Sequence, residues 1–428
     1  MLSTLHDART EMSLLLLPDE ILDAIFSFVH DKTCEPTRDS QNTFASLALT
    51  SKRLISLARS HLYWRPIGAE YVERADWDNA LLLFESLSTP LGQFVISLAG
   101  IADLFAALSK TRGPDSVLPF QLRGYTKAYS FYIALIGVCP RIARVDLLLE
   151  TSRQLSKMLN ALDHVASTLK TVHFGGGLRW WMYPINVGFV CTVLQRPTMR
   201  GIENVIVKGG ALEGQIENRV DITLKSLRLE HGNNGRKFPL ESVLPAQCPS
   251  LESFHFAVRY HYKNEFEAGL DHVPVTLQRL TMRYLEERIA DPPVIDEYFE
   301  IDCALPAPSK WAHLTSLTHL SLQNFDGPSI SLLESLSSLS IIDLDFAGCK
   351  WVPTSRRTAS IQKAASIVDP GELIAALRKF RSLRRVHLGY LPTFSRKPYA
   401  GLADLSIKVE FGVCVRLPRC PDCGYRHW

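Results

Sequence analysis

The chain lacks a strong excess of either charge. Its 47 Lys and Arg residues nearly balance its 44 Asp and Glu residues, and the net charge is only +3. Domains that bind nucleic acids usually carry a clear basic excess, often concentrated on one face. The near balance therefore predicts no nucleic-acid partner, and it does not by itself indicate which other partner the chain has.

Long apolar runs and a disulfide framework are also lacking. The apolar run from Leu14 to Leu17 is four residues long, whereas a signal peptide needs about 7–15 apolar residues and a membrane helix about 20. The nine cysteines are odd in number and mostly scattered, which is more typical of reduced thiols than of disulfide pairs. We therefore expect an unexported protein of the cytoplasm or nucleus, without membrane association.

The motifs that most often mark catalysis or cofactor binding are missing. There is no Gly-x-Ser-x-Gly elbow, no His-Glu-x-x-His pair and no P-loop. Cys420 and Cys423 form one Cys-x-x-Cys near Cys414 and His427, but the second half of a zinc ribbon is absent. The sequence therefore predicts no enzyme, no cofactor and no metal site, and zinc binding by these four residues stays an open alternative.

Short amphipathic helices are predicted near the N-terminus. Pro18 pre-sets a first helical turn, Asp19 favours the positive end of the helix dipole, and apolar residues recur at helical spacing from Ile21. The polar, aperiodic stretch from His30 to Thr43 is predicted to be a loop, after which the apolar pattern resumes and ends at Trp64. So small a bundle has little core of its own, and its apolar surface often marks a partner interface.

The order of these residues resembles the F-box family. The matching segments are Leu-Pro-x-Glu-Ile-Leu from Leu17, Ile-Phe-x-Phe-Val from Ile25, Phe-x-x-Leu-Ala-Leu-Thr-Ser-Lys-Arg-Leu from Phe44, and Tyr63-Trp64, about 50 of 428 residues. The resemblance implies a helical module that docks on the Skp-type adaptor of a cullin ubiquitin ligase, while the rest of the chain holds a substrate protein. The adaptor-binding residues that it implies are Leu17, Pro18, Ile21, Leu22, Ile25, Phe28, Leu47, Leu49, Ser51, Leu54 and Trp64.

The remaining chain repeats an apolar frame, Leu-x-x-Leu-x-Leu with apolar substitutes, at least ten times. Its spacing scatters around the 20–29 residues of leucine-rich repeats, and each frame alternates like a short strand. The frames are Ile142-Val145-Leu147, Leu169-Val172-Phe174, Ile202-Val205-Val207, Leu224-Leu227-Leu229, Leu251-Phe254-Phe256, Leu277-Leu280-Met282, Leu317-Leu320-Leu322, Leu339-Ile342-Leu344, Leu383-Val386-Leu388 and Leu402-Leu405-Ile407, with Leu91-Phe94-Ile96 as a possible eleventh.

These frames resemble the degenerate leucine-rich arrays found behind many F-boxes, notably where Cys139-Pro140 and Cys248-Pro249 precede a frame. Helical spacing lies between several of them, at residues 125–138, 152–166, 328–336 and 370–380. We therefore predict an α/β fold in which a small N-terminal helical F-box is followed by a curved leucine-rich-repeat-like solenoid. The predicted domains are residues 14–65, 66–413 and a Cys-containing tail, 414–428. An ordinary α/β sheet is the alternative.

Alternation along each strand sends the second and third anchors of a frame into the core and their neighbours to the opposite, open face. Four histidines are expected at one position of this face. Its mixed charges suit a protein partner, and the loop after Gly175 adds Trp and Arg, which dominate binding hot spots. The residues predicted to bind substrate are His173, Arg179, Trp180, Trp181, Arg228, His255, Arg279, Arg283, His319, Arg385 and His387.

Two functions fit this pattern. The first is a substrate-recognition adaptor of an SCF-type ubiquitin ligase, which works by proximity and needs no catalytic group. The second is a leucine-rich interaction scaffold unconnected with ubiquitin, whose N-terminal helices only cap the array, as terminal repeats of solenoids often require. For single residues of the open face, a solvated strand surface without a ligand is a further alternative.

Overall fold

The computed structural model divides into two compact units, residues 1–169 and 170–428. The described residues are 17–29, 38–67, 76–101, 104, 108, 127–147, 152–175, 184–209, 211–213, 223–231, 248–258, 270–271, 273–284, 307–325, 329–347, 349, 369–389, 401 and 405–410. The predicted domain boundaries at 65/66 and 413/414 stay predictions. Among the described helices, none is both long and apolar enough to cross a membrane.

The first unit begins with a three-helix bundle of α1 (Asp19–Val29), α2 (Arg38–Thr50) and α3 (Lys52–Leu62). The predicted loop from His30 to Thr43 is wrong from residue 38 onward, since α2 already begins there. The physical reason is that residues 38–43 are polar, so the sequence of the first turns of α2 looks like a loop until buried Phe44 is reached.

The bundle has a small closed core. It is formed by buried Leu22, Phe26, Phe44, Leu54 and Ala58. The Phe26 and Phe44 rings meet edge to face, with centroids 5.6 Å apart, a favoured geometry for aromatic pairs. Each helix thus contributes to one cluster, which is what holds α1 against α3.

The rest of the first unit continues from the bundle through backbone hydrogen bonds. The Trp64 carbonyl accepts the N–H groups of Ile96 (3.0 Å) and Ser97 (2.8 Å), so the end of the bundle is tied to the first strand. That strand pairs in parallel with the next one, Leu98 opposite Val145. The elements are α4 (Trp77–Leu87), a 3-10 helix (Pro90–Phe94), β1 (Ser97–Leu98), α5 (Lys127–Gly137), β2 (Arg144–Leu147), α6 (Ser152–Leu162) and a 3-10 turn (Asp163–Val165).

The second unit is built on parallel strands that pair in chain order. Nine described strands form one such ladder, β3-β5-β7-β8-β9-β10-β11-β12-β13, while β4 pairs separately with β6. The strands are β3 (Thr171–Phe174), β4 (Pro184–Asn186), β5 (Asn204–Gly209), β6 (Ala211–Glu213), β7 (Ser226–His231), β8 (Ser253–Val258), β9 (Arg279–Tyr284), β10 (His319–Gln323), β11 (Asp343–Asp345), β12 (Arg385–His387) and β13 (Lys408–Glu410).

Short helices connect these strands. Asn186, Ser329 and Asp369 cap α7, α8 and α9 in turn, each through a side-chain oxygen that accepts a backbone N–H, as helix N-termini require. The helices are α7 (Val187–Leu194), α8 (Ile330–Leu336) and α9 (Pro370–Arg378), with 3-10 helices at Pro197–Met199 and Pro308–Trp311. Helices predicted at 125–138, 152–166, 328–336 and 370–380 are confirmed, with slightly shorter bounds.

The strand order decides between the two predicted architectures. An ordinary doubly wound sheet reverses its strand order at a switch point. The described ladder of the second unit runs from β3 to β13 without reversal, and the anchors of its frames are buried, as with Leu320 and Leu322. This part of the chain therefore has a solenoid-like α/β fold.

Most predicted frames coincide with a strand, but the frame Leu339-Ile342-Leu344 is wrong. The register pairs Leu344 with the second anchor of β10, so the frame is Ile341-Leu344-Phe346, and all three of these side chains are fully buried. Ile342 is only half-buried. Adjacent isoleucines gave the apolar pattern two possible registers, which only strand pairing separates.

Two further frames are wrong for the same reason. The possible frame Leu91-Phe94-Ile96 ends on a residue that is exposed, whereas the register places Leu98 at the second anchor and buries Val95. The frame Leu402-Leu405-Ile407 precedes β13, in which Val409 pairs with Val386 and takes the anchor position. The frame accepts any large apolar residue, so neighbouring apolar residues can imitate it.

Candidate functional site

The predicted adaptor-binding residues of the α1–α3 bundle divide by exposure. Pro18, Ile21, Ile25 and Leu49 are exposed, Leu17, Leu47 and Ser51 are half-buried, and Leu22, Leu54 and Trp64 are buried, while the side chain of Phe28 lies outside the described residues. The exposed fractions of the three large side chains are 48% for Ile21, 37% for Ile25 and 90% for Leu49. The buried members stabilise the bundle, and only the exposed ones are available to a partner.

Ile21 and Ile25 lie four residues apart and therefore share one face of α1. Their neighbours are held in place by Arg53 of α3, which donates from Nη2 to the Leu17 carbonyl (2.6 Å) and from Nε to Asp19 Oδ1 (2.9 Å). Ser51 caps α3, because its Oγ accepts the N–H of Arg53 at 3.2 Å. The N-terminal end of α1 is thus held against the N-terminal end of α3. This contact fixes the orientation of the exposed face that carries Ile21 and Ile25.

A buried histidine near the C-terminal end of α3 makes a second contact with α1. His61 of α3 has no solvent exposure in its side chain, and its Nε2 lies 2.9 Å from Asp23 Oδ1 of α1. Its ring stacks on Phe44, with centroids 5.1 Å apart and an interplanar angle of 17°. The histidine therefore acts as a core aromatic of the bundle that also holds a polar group of α1.

Side chains of the second unit, all polar except Ile206 and Ala257, align in three rows across its parallel strands. Together they form the open face. The first row is Thr171, Asn204, Ser226, Ser253, Arg279, His319, Asp343, Arg385 and Lys408, the second is His173, Ile206, Arg228, His255, Thr281, Ser321, Asp345, His387 and Glu410, and the third is Lys208, Glu230, Ala257, Arg283 and Gln323.

The register corrects the expected row of four histidines. His173, His255 and His387 share the second row, but His319 lies in the first, opposite Arg279 and Asp343. The frames already contain this difference, since His319 precedes its second anchor, Leu320, whereas His173 follows its second anchor, Val172. The four histidines therefore do not form one line across the open face.

A basic cluster occupies β5 to β9 of the open face, and its centre is a buried carboxylate. Glu230 forms ion pairs with Lys208 Nζ (3.0 Å) and with Arg228 Nη2 (2.5 Å), and its side chain is only 6% exposed. Burial by itself would raise the pKa of Glu230, but the charges of Lys208 and Arg228 and their hydrogen bonds lower it below its ordinary value. Glu230 is therefore a fixed anion that orients both cations.

His255 lies next to this carboxylate, on β8. The residue is half-buried, yet its Nε2 has no solvent contact and no hydrogen-bond partner among the described residues. Burial, followed by the nearby Arg228 guanidinium, lowers the pKa of His255 from 6.5 to about 4. The imidazole is thus neutral at physiological pH and carries one unused polar nitrogen.

Arg279 and Arg283 of β9 complete the basic cluster, which we define as Lys208, Arg228, Glu230, His255, Arg279 and Arg283. Both arginines are exposed, and within the described residues neither forms an ion pair. Alternation along the strands also assigns Lys208 and Glu230 to the predicted open face, but neither is among the residues predicted to bind substrate. The signal that distinguishes them, a buried carboxylate between two cations, depends on strand register and burial.

The opposite half of the open face, on β10 to β13, is internally paired. Arg385 forms two hydrogen bonds with Asp343, and Lys408 Nζ lies 2.6 Å from Glu410 Oε1. Each of these bases therefore has its own acid, and this half offers little unbalanced charge to a ligand.

Asp345 is the centre of a group of polar side chains on the same half. It accepts hydrogen bonds from Ser321 Oγ (2.8 Å) and Gln323 Nε2 (3.1 Å), and its Oδ1 lies 3.4 Å from His387 Nδ1. In a nucleophilic triad the histidine lies between the serine and the acid. Here the acid lies in the middle, so this arrangement does not activate Ser321.

The remaining predicted substrate residues, Arg179, Trp180 and Trp181, lie outside the described residues, as do Cys414 to His427. Gly175, the last described residue before them, has a φ of +87°, and a Cβ there would lie 2.0 Å from the Lys208 carbonyl. Only glycine fits this approach. It lets β3 end beside the basic cluster.

The buried cysteines do not supply reactive thiolates. Cys139 and Cys248, which precede their frames, are fully buried, and burial raises the pKa of both thiols to about 12. Thiolates, not thiols, are nucleophiles and metal ligands. No group of three or more His, Cys, Asp or Glu residues that could hold a metal occurs in the part of the chain that the structure describes.

Comparison with known proteins finds no matching family model and no matching curated protein. Among solved structures, the leucine-rich repeat-containing protein LegL7 from Legionella pneumophila is 12% identical, with a TM-score of 0.33, over 65% of this chain and 85% of that chain. A chain of the yeast Rad7 and Elc1 complex is 14% identical, with a TM-score of 0.36, over 93% and 86%. Both TM-scores lie below 0.5, so the fold assignment depends on this chain's own strand order and burial.

Proposed function

We propose that the chain is a non-catalytic substrate-recognition subunit of an SCF-type ubiquitin ligase. The α1–α3 bundle binds a Skp-type adaptor and, through it, a cullin scaffold, while the open face of the second unit binds a substrate protein. The observation that carries the proposal is that the bundle closes its own core and still exposes Ile21, Ile25 and Leu49.

The exposed side chains are sufficient for a specific contact. Complete burial of a Leu or Ile side chain contributes about 1.5–3 kcal/mol, and Leu49 is almost completely exposed, so nearly all of this is available on binding. Only part appears as affinity, because association costs translational and rotational freedom. Loss of two such anchors should therefore weaken binding by at least about tenfold.

The mechanism is proximity. An adaptor that holds a substrate close to a charged ubiquitin-conjugating enzyme raises their effective concentration and needs no catalytic group of its own. The arrangement of Ser321, Asp345 and His387 is compatible with this proposal, since the acid and not the histidine lies beside the serine.

The test is binding of the full chain to a purified Skp-type adaptor, measured by calorimetry. We expect Ile25→Asp with Leu49→Asp to weaken binding at least about tenfold, because a charge in each anchor position cannot be buried without a partner. The matched control is Leu82→Asp, a change of the same kind at a residue of α4 that is 60% exposed. It should leave the affinity unchanged.

A scaffold unconnected with ubiquitin is the second candidate. It is favoured by the hydrogen bonds from Ile96 and Ser97 to the Trp64 carbonyl. These bonds join the bundle to the first strand, as expected for a helical cap at the N-terminal end of a solenoid. If the folded full chain binds no Skp-type adaptor, or if Leu82→Asp weakens binding as much as the double variant, the ligase proposal is wrong and the cap explains the bundle.

A further inference from the structure

We propose that the basic cluster of the open face is a docking site for an extended, carboxylate-rich segment of a protein partner. The inference deepens the proposed function and rests on it in one respect, because it names the class of substrate that the open face would recruit. The binding step itself requires no ligase component.

The first argument is unbalanced charge. The basic cluster holds four cationic side chains and one carboxylate, and that carboxylate is already engaged by Lys208 and Arg228. Arg279 and Arg283 have no acidic partner among the described residues, whereas Arg385 and Lys408 on the other half of the open face each have one. Charge complementarity between partners sets specificity and association rate. On the open face, the unbalanced positive charge is confined to β5 to β9.

The second argument is shape. On β8 the three rows hold Ser253, His255 and Ala257, of which the first and last are small; Ser253 and His255 are half-buried and Ala257 is buried. The neighbouring strands carry the long cations, Arg228 on β7 and Arg279 with Arg283 on β9. Neighbouring strands lie about 4.8 Å apart, so the shorter side chains of β8 lie between long basic side chains on both sides.

The third argument concerns spacing, and it selects carboxylates over a single phosphate. Arg279 and Arg283 are four residues apart on one strand, which places their backbones about 13 Å apart. One phosphate is best bound by donors that converge on it. Acidic residues at alternate positions of an extended segment lie about 6.6–6.8 Å apart on one side, so that the first and third of them match the two arginines.

His255 of β8 reports on a ligand at this place. Its Nε2 has no contact with solvent, so a bound carboxylate acts on the imidazole through its charge and not through a hydrogen bond to this atom. A carboxylate beside it would favour the imidazolium and raise its pKa. A bound acidic segment should therefore shift the titration of His255, which an unspecific surface attraction elsewhere on the chain would not do.

The probe is a fluorescent twelve-residue peptide of alternating Glu and Ser, and its anisotropy is measured with the full chain at low and moderate salt. We expect saturable binding that weakens with salt, at least tenfold weaker binding for Arg279→Ala with Arg283→Ala, and little binding of the matching Gln-Ser peptide. The control pair Arg200→Ala with Arg378→Ala removes the same charge from exposed residues outside the strands and should change the affinity less than twofold.

A gain-of-binding variant guards against loss by misfolding. Glu230→Gln removes the carboxylate that holds Lys208 and Arg228, so we expect binding of the Glu-Ser peptide to become several-fold tighter. Absence of binding, equal losses in the two double variants, or binding of a phosphoserine peptide but not of the Glu-Ser peptide would each overturn the proposal. Binding of the Skp-type adaptor by Arg279→Ala with Arg283→Ala is measured in parallel. Loss of peptide binding with normal adaptor binding concerns the basic cluster alone, whereas absence of adaptor binding in the parent chain as well would refute the proposed function.

Discussion

His255 makes the stability of the second unit depend on pH. Burial lowers its pKa to about 4 in the folded chain, against 6.5 for a solvated imidazole. The unfolded chain therefore binds a proton at a pH where the folded chain does not, and stability falls as the pH drops below about 6.5. Between pH 7 and pH 5 the linkage relation gives a loss of about 2 kcal/mol, and the loss levels off only below pH 4.

The charged groups around His255 act in both directions. Arg228, Arg283 and Lys208 oppose its protonation, and Glu230 favours it. Lys208 and Arg228 keep Glu230 ionised. Glu230 therefore does not take up a proton between pH 7 and pH 5, and it does not contribute to the loss of stability expected from His255. The expected loss is thus assigned to the imidazole.

The assay is urea unfolding of the full chain at pH 7 and pH 5, compared with His255→Gln. Other acid-sensitive groups contribute equally to both proteins, so the difference between them isolates His255. We expect the parent to lose about 2 kcal/mol more than the variant over this interval. Equal losses in the two proteins would refute the reasoning, because burial would then not disfavour the charged imidazole.

Two further changes test the packing. Ile341→Ala should lower the free energy of unfolding in urea by about 2–5 kcal/mol, because the side chain is fully buried. Ile342→Ala should lower it clearly less. If Ile342→Ala had the larger effect, the frame Leu339-Ile342-Leu344 would be correct after all. His61→Ala should lower the free energy of opening of the α1–α3 bundle, measured by hydrogen exchange, by about 2–4 kcal/mol. His61→Phe keeps the stacked ring and loses the bond to Asp23, and it should cost under about 1.5 kcal/mol. A loss in His61→Phe as large as in His61→Ala would show that the polar contact, not the packing, holds α1.

Apolar periodicity predicted most of the strands, because a buried row of side chains must recur wherever a strand packs on a core. It failed where the sequence offers two adjacent apolar residues, as at Ile341 and Ile342, and where helix and loop share a polar composition, as at the start of α2. Both errors have one cause. The choice is made by contacts with residues far away in the chain, such as the pairing of Leu344 with Leu320.

The candidate site shows the same limit more sharply. Arg279 and Arg385 are the same residue type in the same row of the open face, and no local pattern separates them. Arg385 is neutralised by Asp343, 42 residues away, while Arg279 pairs in register with Ser253 and His319, which carry no negative charge. Whether an arginine is a structural ion pair or a free recognition group is therefore decided by its neighbours across the strands. For this reason the sequence could name the face, but only the register could divide it into a neutral half and a basic half.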